Sequence, residues 1–438
     1  MNPSGPTVAV DGSRPLRGEL RPVGDKSITH RALLFNAVAD GTATVHGGNP
    51  GADARSTASC LRALGVRIDE EGTGAWTVHG RGFRLRPATD ALDCGNSGTT
   101  MRLLAGVCAG QPFTSTLDGD ASLGRRPMER VAVPLRAMGA RVEGPTNGAR
   151  PPLVITGPVH RGGRFEIRVA SAQVKSCLLL AGLLSGRAVE VVEPGASRDH
   201  TERMLAAMGA PIDAAPGHAA VGATRALRAL DVDVPADPSS AALVAAVVAV
   251  TPHSRVTFSH VLCNSTRTGF VETLRAAGAG ADWGAPREHA GETTADLTVE
   301  AAPVWTPLHV EATVVPSLID EVPALVACAA FAPGTSVFDG VAELRVKESD
   351  RVASMQALLG VFGVDSESTD DRLVVHGGGP RRPTAALPAT DDHRIAMAAT
   401  VLAAGVSARD GAGPITVDLT AAAVSHPGFG HDLEGLRA

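Results

Sequence analysis

The chain has 438 residues, of which 44% are hydrophobic and 20% charged, so it is long enough for two domains with buried cores and is neither disordered nor fibrous. Its net charge of −6 supplies no broad positive field, so we expect no nucleic-acid partner. Residues 1–20 lack the apolar core of a signal peptide, and the purest apolar run, residues 241–250, is too short to span a membrane. We therefore expect a cytoplasmic protein without membrane contact.

The six cysteines include no CxxC pair and lie mostly among Ala, Leu and Val, which indicates reduced core thiols rather than disulfides or a metal site. Only three of the 40 basic residues are lysines: Lys26, Lys175 and Lys347. An ammonium group can give up its proton, which a guanidinium does not do in proteins. Each lysine is therefore a candidate for chemistry, with chance survival as the alternative.

Two elements alternate along the chain. The first is a short segment such as LRALGVRID (61–69), which predicts a helix closed by glycine and followed by a strand. It recurs roughly every seventy residues, which predicts a sixth copy near DLEGLRA at 432–438. The central glycines of the five clear copies are Gly65, Gly139, Gly209, Gly278 and Gly363.

The second element opens with a polar cluster and continues as an Ala-, Leu- and Val-rich helix. The openings begin at Gly24, Gly95, Ser171, Asp237, Asp320 and Asp391. Together the two elements predict six βαβαββ-like units. Polar openings cap helices, and a helix N-terminus attracts anions. Capping alone does not require the Lys26, Lys175, His393 and Arg394 that stand beside these caps, so we expect a ligand with phosphate and carboxylate groups where several helix starts converge.

Nine motifs carry a family resemblance. They are GDKSITHRALL (24–34), GNSGTTMRLL (95–104), RRPM (125–128), SAQVKS (171–176), RDHTE (198–202), NSTR (264–267), LIDEVP (318–323), RVKESDR (345–351) and DHRIAM (392–397). In this order they resemble the EPSP synthases of the enolpyruvyl transferase family, with class II-like motifs. The resemblance implies an α/β fold: a two-domain inside-out α/β barrel of six βαβαββ repeats, three per domain. Residues 23–235 would form one domain, and residues 1–22 with 236–438 the other.

The implied reaction moves the enolpyruvyl group of phosphoenolpyruvate to the 5-hydroxyl of shikimate 3-phosphate and releases phosphate by addition and elimination. The partners would be these two small molecules, with no metal and no organic cofactor, and we expect a monomer. Such a reaction requires a proton donor to carbon 3 of phosphoenolpyruvate, a base for the hydroxyl, and cations around the carboxylate and phosphate.

The resemblance implies three sets of site residues. The catalytic set is Lys26, Asp320, Glu348 and His393. The phosphoenolpyruvate-binding set is Lys26, Asn96, Gly98, Thr99, Arg126, Gln173, Lys347, Arg351 and Arg394. The shikimate 3-phosphate-binding set is Lys26, Ser27, Arg31, Ser171, Ala172, Gln173, Arg198, Asp320 and Lys347.

Individual roles within these sets have alternatives. Glu348 is the expected proton donor, tuned to stay protonated near neutral pH, with an ordinary exposed residue in the first turn of a helix as the alternative. Asp320 is the expected base, a helix N-cap, or both. His393 would assist proton transfer or the leaving phosphate, or have a structural role. Lys175 would reach the phosphate of shikimate 3-phosphate or only neutralise the site.

Some positions depart from the family pattern. The chain has no tyrosine, which many members place against the shikimate ring, and Val424 replaces a lysine found in many members, with His426 where phenylalanine is usual. Class II-like motifs favour weak inhibition by glyphosate, whereas Gly98 leaves room for that inhibitor.

Two other functions compete with shikimate 3-phosphate as acceptor. Transfer to UDP-N-acetylglucosamine is disfavoured because Ser27 follows Lys26 where those enzymes have asparagine, and because no cysteine lies in a comparable loop. A non-catalytic anion-binding relative is disfavoured by the intact catalytic set and slightly favoured by Val424.

Overall fold

The structure, a computed structural model, describes residues 7–224 and 226–437. The chain divides into two compact units. The central unit contains residues 24–235 and 288–292, and the terminal unit contains residues up to 23, 236–287 and those from 293 onward. Among the helices in the described residues, none is long and apolar enough to cross a membrane.

The α-helices are α1 (Lys26–Ala37), α2 (Ala52–Ala63), α3 (Gly98–Ala109), α4 (Glu129–Ala137), α5 (Pro145–Gly148), α6 (Ala172–Ser185), α7 (His200–Ala207), α8 (Pro238–Val250), α9 (Gly269–Ala276), α10 (Val322–Ala329), α11 (Arg351–Val361), α12 (His393–Asp410) and α13 (Phe429–Gly435). Short 3₁₀ helices span Leu123–Arg125, Val315–Ser317, Ala342–Val346 and Thr420–Val424.

The strands are β1 (Thr7–Val10), β2 (Arg17–Leu20), β3 (Thr42–His46), β4 (Arg67–Gly72), β5 (Ala75–His79), β6 (Leu92–Asp93), β7 (Thr114–Asp118), β8 (Arg141–Glu143), β9 (Leu153–Thr156), β10 (Gly163–Glu166), β11 (Val189–Val192), β12 (Ile212–Ala215), β13 (His218–Val221), β14 (Val232–Asp233), β15 (Arg255–Leu262), β16 (Gly280–Trp283), β17 (Arg287–His289), β18 (Glu292–Glu300), β19 (His309–Val310), β20 (Gly334–Asp339), β21 (Asp365–Ser368), β22 (Arg372–Gly377) and β23 (Ile415–Asp418).

The central unit contains three four-stranded sheets of one pattern, in the orders β14-β3-β5-β4, β6-β7-β9-β8 and β10-β11-β13-β12. In each sheet the first pair is parallel and the other two pairs are antiparallel. Strand, helix, strand, helix and hairpin follow one another as β6-α3-β7-α4-β8-β9, which is the predicted βαβαββ repeat. The first sheet differs only in taking its edge strand, β14, from the far end of the unit.

The terminal unit contains two sheets built on the same pattern, β2-β15-β18-β16 and β19-β20-β22-β21. In the first of them, β17 also pairs with β18. Its third repeat is shorter than predicted, because β23 pairs with β1 in a two-stranded sheet and is followed by helical segments instead of a hairpin. The segment after β23, TAAAVSHPGFG, lacks the alternating apolar pattern that a hairpin needs. The α/β fold class is confirmed, with five complete repeats and one reduced repeat in the described chain.

Six helices form the interior, three in each unit. Helices α6 and α8 are apolar on all sides and are buried from Val174 to Leu184 and from Pro238 to Val250, as expected of helices enclosed by other elements. Helices α3 and α6 pack so closely that a Cβ on Gly106 would lie 2.2 Å from the Cys177 carbonyl oxygen. Each interior helix begins one to three residues after its predicted polar opening.

The five repeated glycines end the outer helices, as predicted. Each has a positive φ, between 70° at Gly363 and 108° at Gly278, a backbone conformation that glycine adopts without a steric penalty. The next residues enter a strand in every case.

Candidate active site

Hydrogen bonds link the starts of α1, α3 and α6 in the central unit, with Asp53 on α2 bridging α1 and α3. Lys26 Nζ, on α1, donates to Asp53 Oδ2 at 2.9 Å, and Thr100 Oγ1, on α3, donates to the Asp53 carbonyl at 3.4 Å. Gln173 Nε2, on α6, donates to Thr99 Oγ1 on α3 at 2.9 Å. Within this unit the structure thus links Lys26 to α3 through Asp53 and links Gln173 to Thr99 directly.

The α3 opening lies beside two arginines. Arg126 donates to the side-chain oxygen of Asn96, whose nitrogen donates to Asp120 at 2.8 Å. A Cβ on Gly98 would lie 3.1 Å from Arg102 Nη1 and 3.2 Å from Arg126 Nη1, so glycine lets both guanidinium groups approach the helix start. Two cations and the free amides of a helix N-terminus form a favourable site for an anion.

Arg102 was not predicted as a site residue, although it lies within GNSGTTMRLL. Its Nη1 donates to Gln173 Oε1 at 2.5 Å, and its Nη2 donates to the Pro127 carbonyl at 3.3 Å. Arg102 therefore links the predicted residue Gln173 to the RRPM segment that carries Arg126.

Arg31 is a buried residue whose side chain bonds to neighbouring helices. It is 2% exposed and donates to Thr201, to the Ser27 carbonyl and to Ser176 at 2.8, 3.0 and 3.0 Å. Burial lowers its pKa to about 10, against the opposing effect of Glu202, Asp25 and Glu292. Arg31 therefore joins α1 to α6 and α7.

Lys175 forms a buried cluster with two acids that the sequence analysis did not single out. The lysine is 3% exposed, and Nζ lies 2.9 Å from Glu193 Oε2 and 2.7 Å from Glu202 Oε1. Although burial opposes it, the two carboxylates hold the pKa of Lys175 above its usual value. Of the two predicted roles, the contacts favour neutralisation of this region over direct contact with a ligand.

The remaining predicted residues of this unit surround that cluster. Ser171 caps α6 by accepting a hydrogen bond from the Val174 backbone at 3.5 Å, and Ala172 is the first residue of the helix. Arg198 follows Ser197 in the segment between β11 and α7 and is half-buried. The positive charge of Arg198 is close enough to Arg31 to contribute to the lowered pKa of Arg31.

In the terminal unit, Arg351 is the centre of an ion-pair network. It is 2% exposed, and its guanidinium contacts Asp392, Glu348 and Asp320 at 2.9, 2.5 and 3.4 Å. Burial opposes protonation, but Glu348, Asp392 and Asp320 hold the pKa of Arg351 above its usual value. Lys347 Nζ lies 3.6 Å from Asp320 Oδ1. The predicted residues Asp320, Lys347, Glu348 and Arg351 therefore lie in one network, and Glu348 faces a cation.

Two details of this network differ from the sequence interpretation. The N-cap of α10 is Glu321, so Asp320 precedes the cap and the N-cap alternative for Asp320 is wrong. Asp392, unassigned in the sequence analysis, caps α12 by accepting from the Arg394 backbone at 3.0 Å while it holds Arg351. Burial tends to raise the pKa of Asp392, but Arg351 keeps it below its usual value.

Arg394 has a different environment from Arg351. It is only 6% exposed, yet its guanidinium makes no hydrogen bond or ion pair with any residue that the structure describes. His393 precedes it at the start of α12 and is 2% exposed. A buried cation without an anion is costly, so Arg394 is suited to receive an anionic group from outside the chain.

The departures from the family pattern lie near the end of the terminal unit. Val424 is half-buried in the 3₁₀ segment Thr420–Val424. His426 is fully buried, lies 2.6 Å from Asp432 Oδ2 and packs edge-on against Phe429 with ring centroids 5.3 Å apart. His426 therefore combines ring packing with an acidic partner.

All six cysteines are free thiols, five of them buried, as predicted. Within residues 7–224 and 226–437, no group of three or more His, Cys, Asp or Glu side chains is arranged to hold a metal ion.

A family model matches the sequence along most of its length. The model is described as EPSP synthase (3-phosphoshikimate 1-carboxyvinyltransferase) and matches residues 10–433. The 3-phosphoshikimate 1-carboxyvinyltransferase of Desulforudis audaxviator is 44% identical over 435 residues, which cover 98% of this chain and 99% of the relative. That of Xanthomonas euvesicatoria is 46% identical over 416 residues, covering 94% of this chain and 93% of the relative.

Solved structures resemble this chain over nearly its whole length. An EPSP synthase from Acinetobacter baumannii has a TM-score of 0.85 and 37% identity, covering 98% of each chain. The enolpyruvyl transferase NikO from Streptomyces tendae has a TM-score of 0.77 at 18% identity, covering 99% of this chain and 98% of the other. The second similarity concerns the fold alone.

Proposed function

Because this chain belongs to the EPSP synthase family, we propose that it transfers the enolpyruvyl group of phosphoenolpyruvate to the 5-hydroxyl of shikimate 3-phosphate. The products are 5-enolpyruvylshikimate 3-phosphate and inorganic phosphate. The reaction belongs to the shikimate pathway, which supplies chorismate and the aromatic amino acids.

The observation that carries this proposal is the state of Arg394. A guanidinium that is almost fully buried without a carboxylate partner gains most from an anion supplied by a substrate. Phosphoenolpyruvate carries a carboxylate and a phosphate, and we assign the carboxylate to Arg394. The α3 opening, with Arg126 and the amides after Gly98, supports phosphate binding in the central unit.

In the addition step, Glu348 donates a proton to carbon 3 of phosphoenolpyruvate while Asp320 removes the proton of the 5-hydroxyl, whose oxygen then attacks carbon 2. Asp320 is supported in this role by Lys347 and Arg351, which keep a charged carboxylate favourable.

In the elimination step, the Glu348 carboxylate takes a proton back from the methyl carbon of the tetrahedral intermediate and the carbon–oxygen bond to phosphate breaks. The proton that Asp320 took from the 5-hydroxyl passes to the departing phosphate. Lys347 stabilises the departing phosphate as a point charge, and His393 assists the proton transfer. Lys26 is assigned to substrate phosphate on the central unit. Each elimination restores the double bond and returns the acid and base to their starting states.

Phosphate release from phosphoenolpyruvate by the purified protein tests the proposal. Release with shikimate 3-phosphate and none with UDP-N-acetylglucosamine is the expected result. Release only with the sugar nucleotide would assign the other acceptor, and binding of both substrates without release would make the chain a non-catalytic relative. We expect the active form to be a monomer, which sedimentation during the same assay tests.

Glu348→Gln tests the proton donor. The amide cannot deliver a proton, so we expect kcat to fall about 100- to 10,000-fold, while the dissociation constant for shikimate 3-phosphate stays nearly the same. Glu343→Gln, an acidic residue in the preceding 3₁₀ segment, is the matched control and should retain activity. Turnover by Glu348→Gln equal to the unsubstituted enzyme would remove Glu348 from its role.

A further inference from the structure

Glu193 connects three elements that surround the start of α6. It lies directly after β11 and is 6% exposed. Its Oε1 accepts a hydrogen bond from the Ser171 backbone N–H at 2.8 Å. Its Oε2 accepts from Ser197 Oγ at 2.7 Å and lies 2.9 Å from Lys175 Nζ. Both carboxylate oxygens are therefore used, each toward a different part of the chain.

These contacts fix residues that belong to the proposed acceptor site. The backbone N–H of Ser171 donates to Glu193, and its hydroxyl oxygen accepts a hydrogen bond from the Val174 N–H. The hydroxyl hydrogen has no acceptor among the described residues. The bond from Ser197 restrains the segment that carries Arg198. One buried carboxylate thus sets the position of both a hydroxyl donor and an arginine.

The charge of Glu193 is stable in this position because of Lys175. A lone buried carboxylate would be strongly unfavourable, and the lysine shared with Glu202 offsets its cost. This pairing gives Lys175 a role: its charge allows the ionised Glu193 to be buried behind the acceptor site.

We propose that Glu193 is a positioning residue for the phosphorylated acceptor and acts through Ser171 and Arg198 without touching the substrate. This inference rests on the proposed function, since it names the residue behind the shikimate 3-phosphate subsite. A carboxylate is required because both of its oxygens must accept hydrogen bonds, one of them from two donors at once.

The test is Glu193→Gln, which keeps the side-chain shape but leaves a single acceptor oxygen. We expect KM for shikimate 3-phosphate to rise about tenfold, the effect of losing one charge-assisted hydrogen bond. The values of kcat and of KM for phosphoenolpyruvate should stay nearly unchanged. Ser197→Ala, which removes only the bond at 2.7 Å, should raise the acceptor KM by a smaller factor.

Glu190→Gln is the matched control. Glu190 lies on β11 and pairs with the exposed Arg164 at 3.2 Å. Its substitution makes the same chemical change without touching the Ser171 contact. It should leave all three kinetic values unaltered. A Glu193→Gln enzyme whose KM values for both substrates change equally, or not at all, overturns the inference. Failure of the proposed function is separate, because the unsubstituted protein would then release no phosphate with shikimate 3-phosphate.

Discussion

Arg394→Met should stabilise the ligand-free protein and weaken phosphoenolpyruvate binding. Arg394 as a residue is 6% exposed, and its buried Nε has no hydrogen-bond partner among the described residues, so the folded chain carries the cost of an uncompensated polar group. That cost is about 1–3 kcal/mol in proteins. Methionine has similar length and no charge, so the substitution removes this cost. Each kcal/mol gained should raise the melting temperature by about 2–4 °C.

The same change removes the charge that we assign to the substrate carboxylate. A charge-assisted hydrogen bond is worth about 1.5–3 kcal/mol, so KM for phosphoenolpyruvate should rise by about 10- to 100-fold. Calorimetry of the ligand-free protein and steady-state phosphate release measure the two effects. Phosphoenolpyruvate with shikimate 3-phosphate should also raise the melting temperature of the variant less than that of the unsubstituted protein.

Arg409→Met is the control, because it makes the same change near the other end of α12. Arg409 is exposed, lies 4.7 Å from the centroid of the Phe331 ring and donates to the Phe331 carbonyl. We expect a small loss of stability and no change in KM. If Arg394→Met lowers the melting temperature as Arg409→Met does, the guanidinium has a partner in the folded protein and the reasoning is wrong.

Two further predictions concern buried charge in the central unit. Lys175→Met leaves two carboxylates without their shared cation, so the free energy of unfolding should fall by about 3–5 kcal/mol; a loss below about 1 kcal/mol in urea titration would contradict the buried pairing. Burial lowers the pKa of His30 from 6.5 to about 3, so between these values the unfolded chain binds a proton that the folded chain does not. Stability should therefore fall by about 1.4 kcal/mol per pH unit as pH decreases through this window, and His30→Asn should lose less stability than the unsubstituted protein over the same range.

The six interior helix starts could be predicted from sequence because their signals are local. Asp25, Ser97 and Ser171 accept hydrogen bonds from backbone groups three residues ahead, and such caps are visible in the sequence. Gly65 and its repeats are equally local, since each ends its helix in a conformation that favours glycine. Regular spacing then allowed the repeat, and with it the α/β class, to be predicted.

The partners of the predicted site residues could not be identified in this way. Asp53 lies 27 residues from Lys26 and Glu193 lies 22 residues from Ser171, and neither stands in a recognised motif. Only the folded chain brings these acids to the helix starts. Asp392 is different, because it opens the DHRIAM motif and its charge beside His393 was visible in the sequence. The burial of Arg31 and the pairing of Lys175 also depend on packing between distant segments.

The order of segments in the terminal unit affects when it can be completed during synthesis. Strand β1 pairs Thr7 with Asp418, and β2 pairs with β15. The central unit, apart from residues 288–292, is drawn from residues 24–235, so most of its contacts are available while the ribosome is still translating. The first strand of the chain must wait until nearly all of the polypeptide has emerged. Pairing over such a separation closes slowly, so β1 should join its sheet among the last events of folding, after the interior of the central unit has formed.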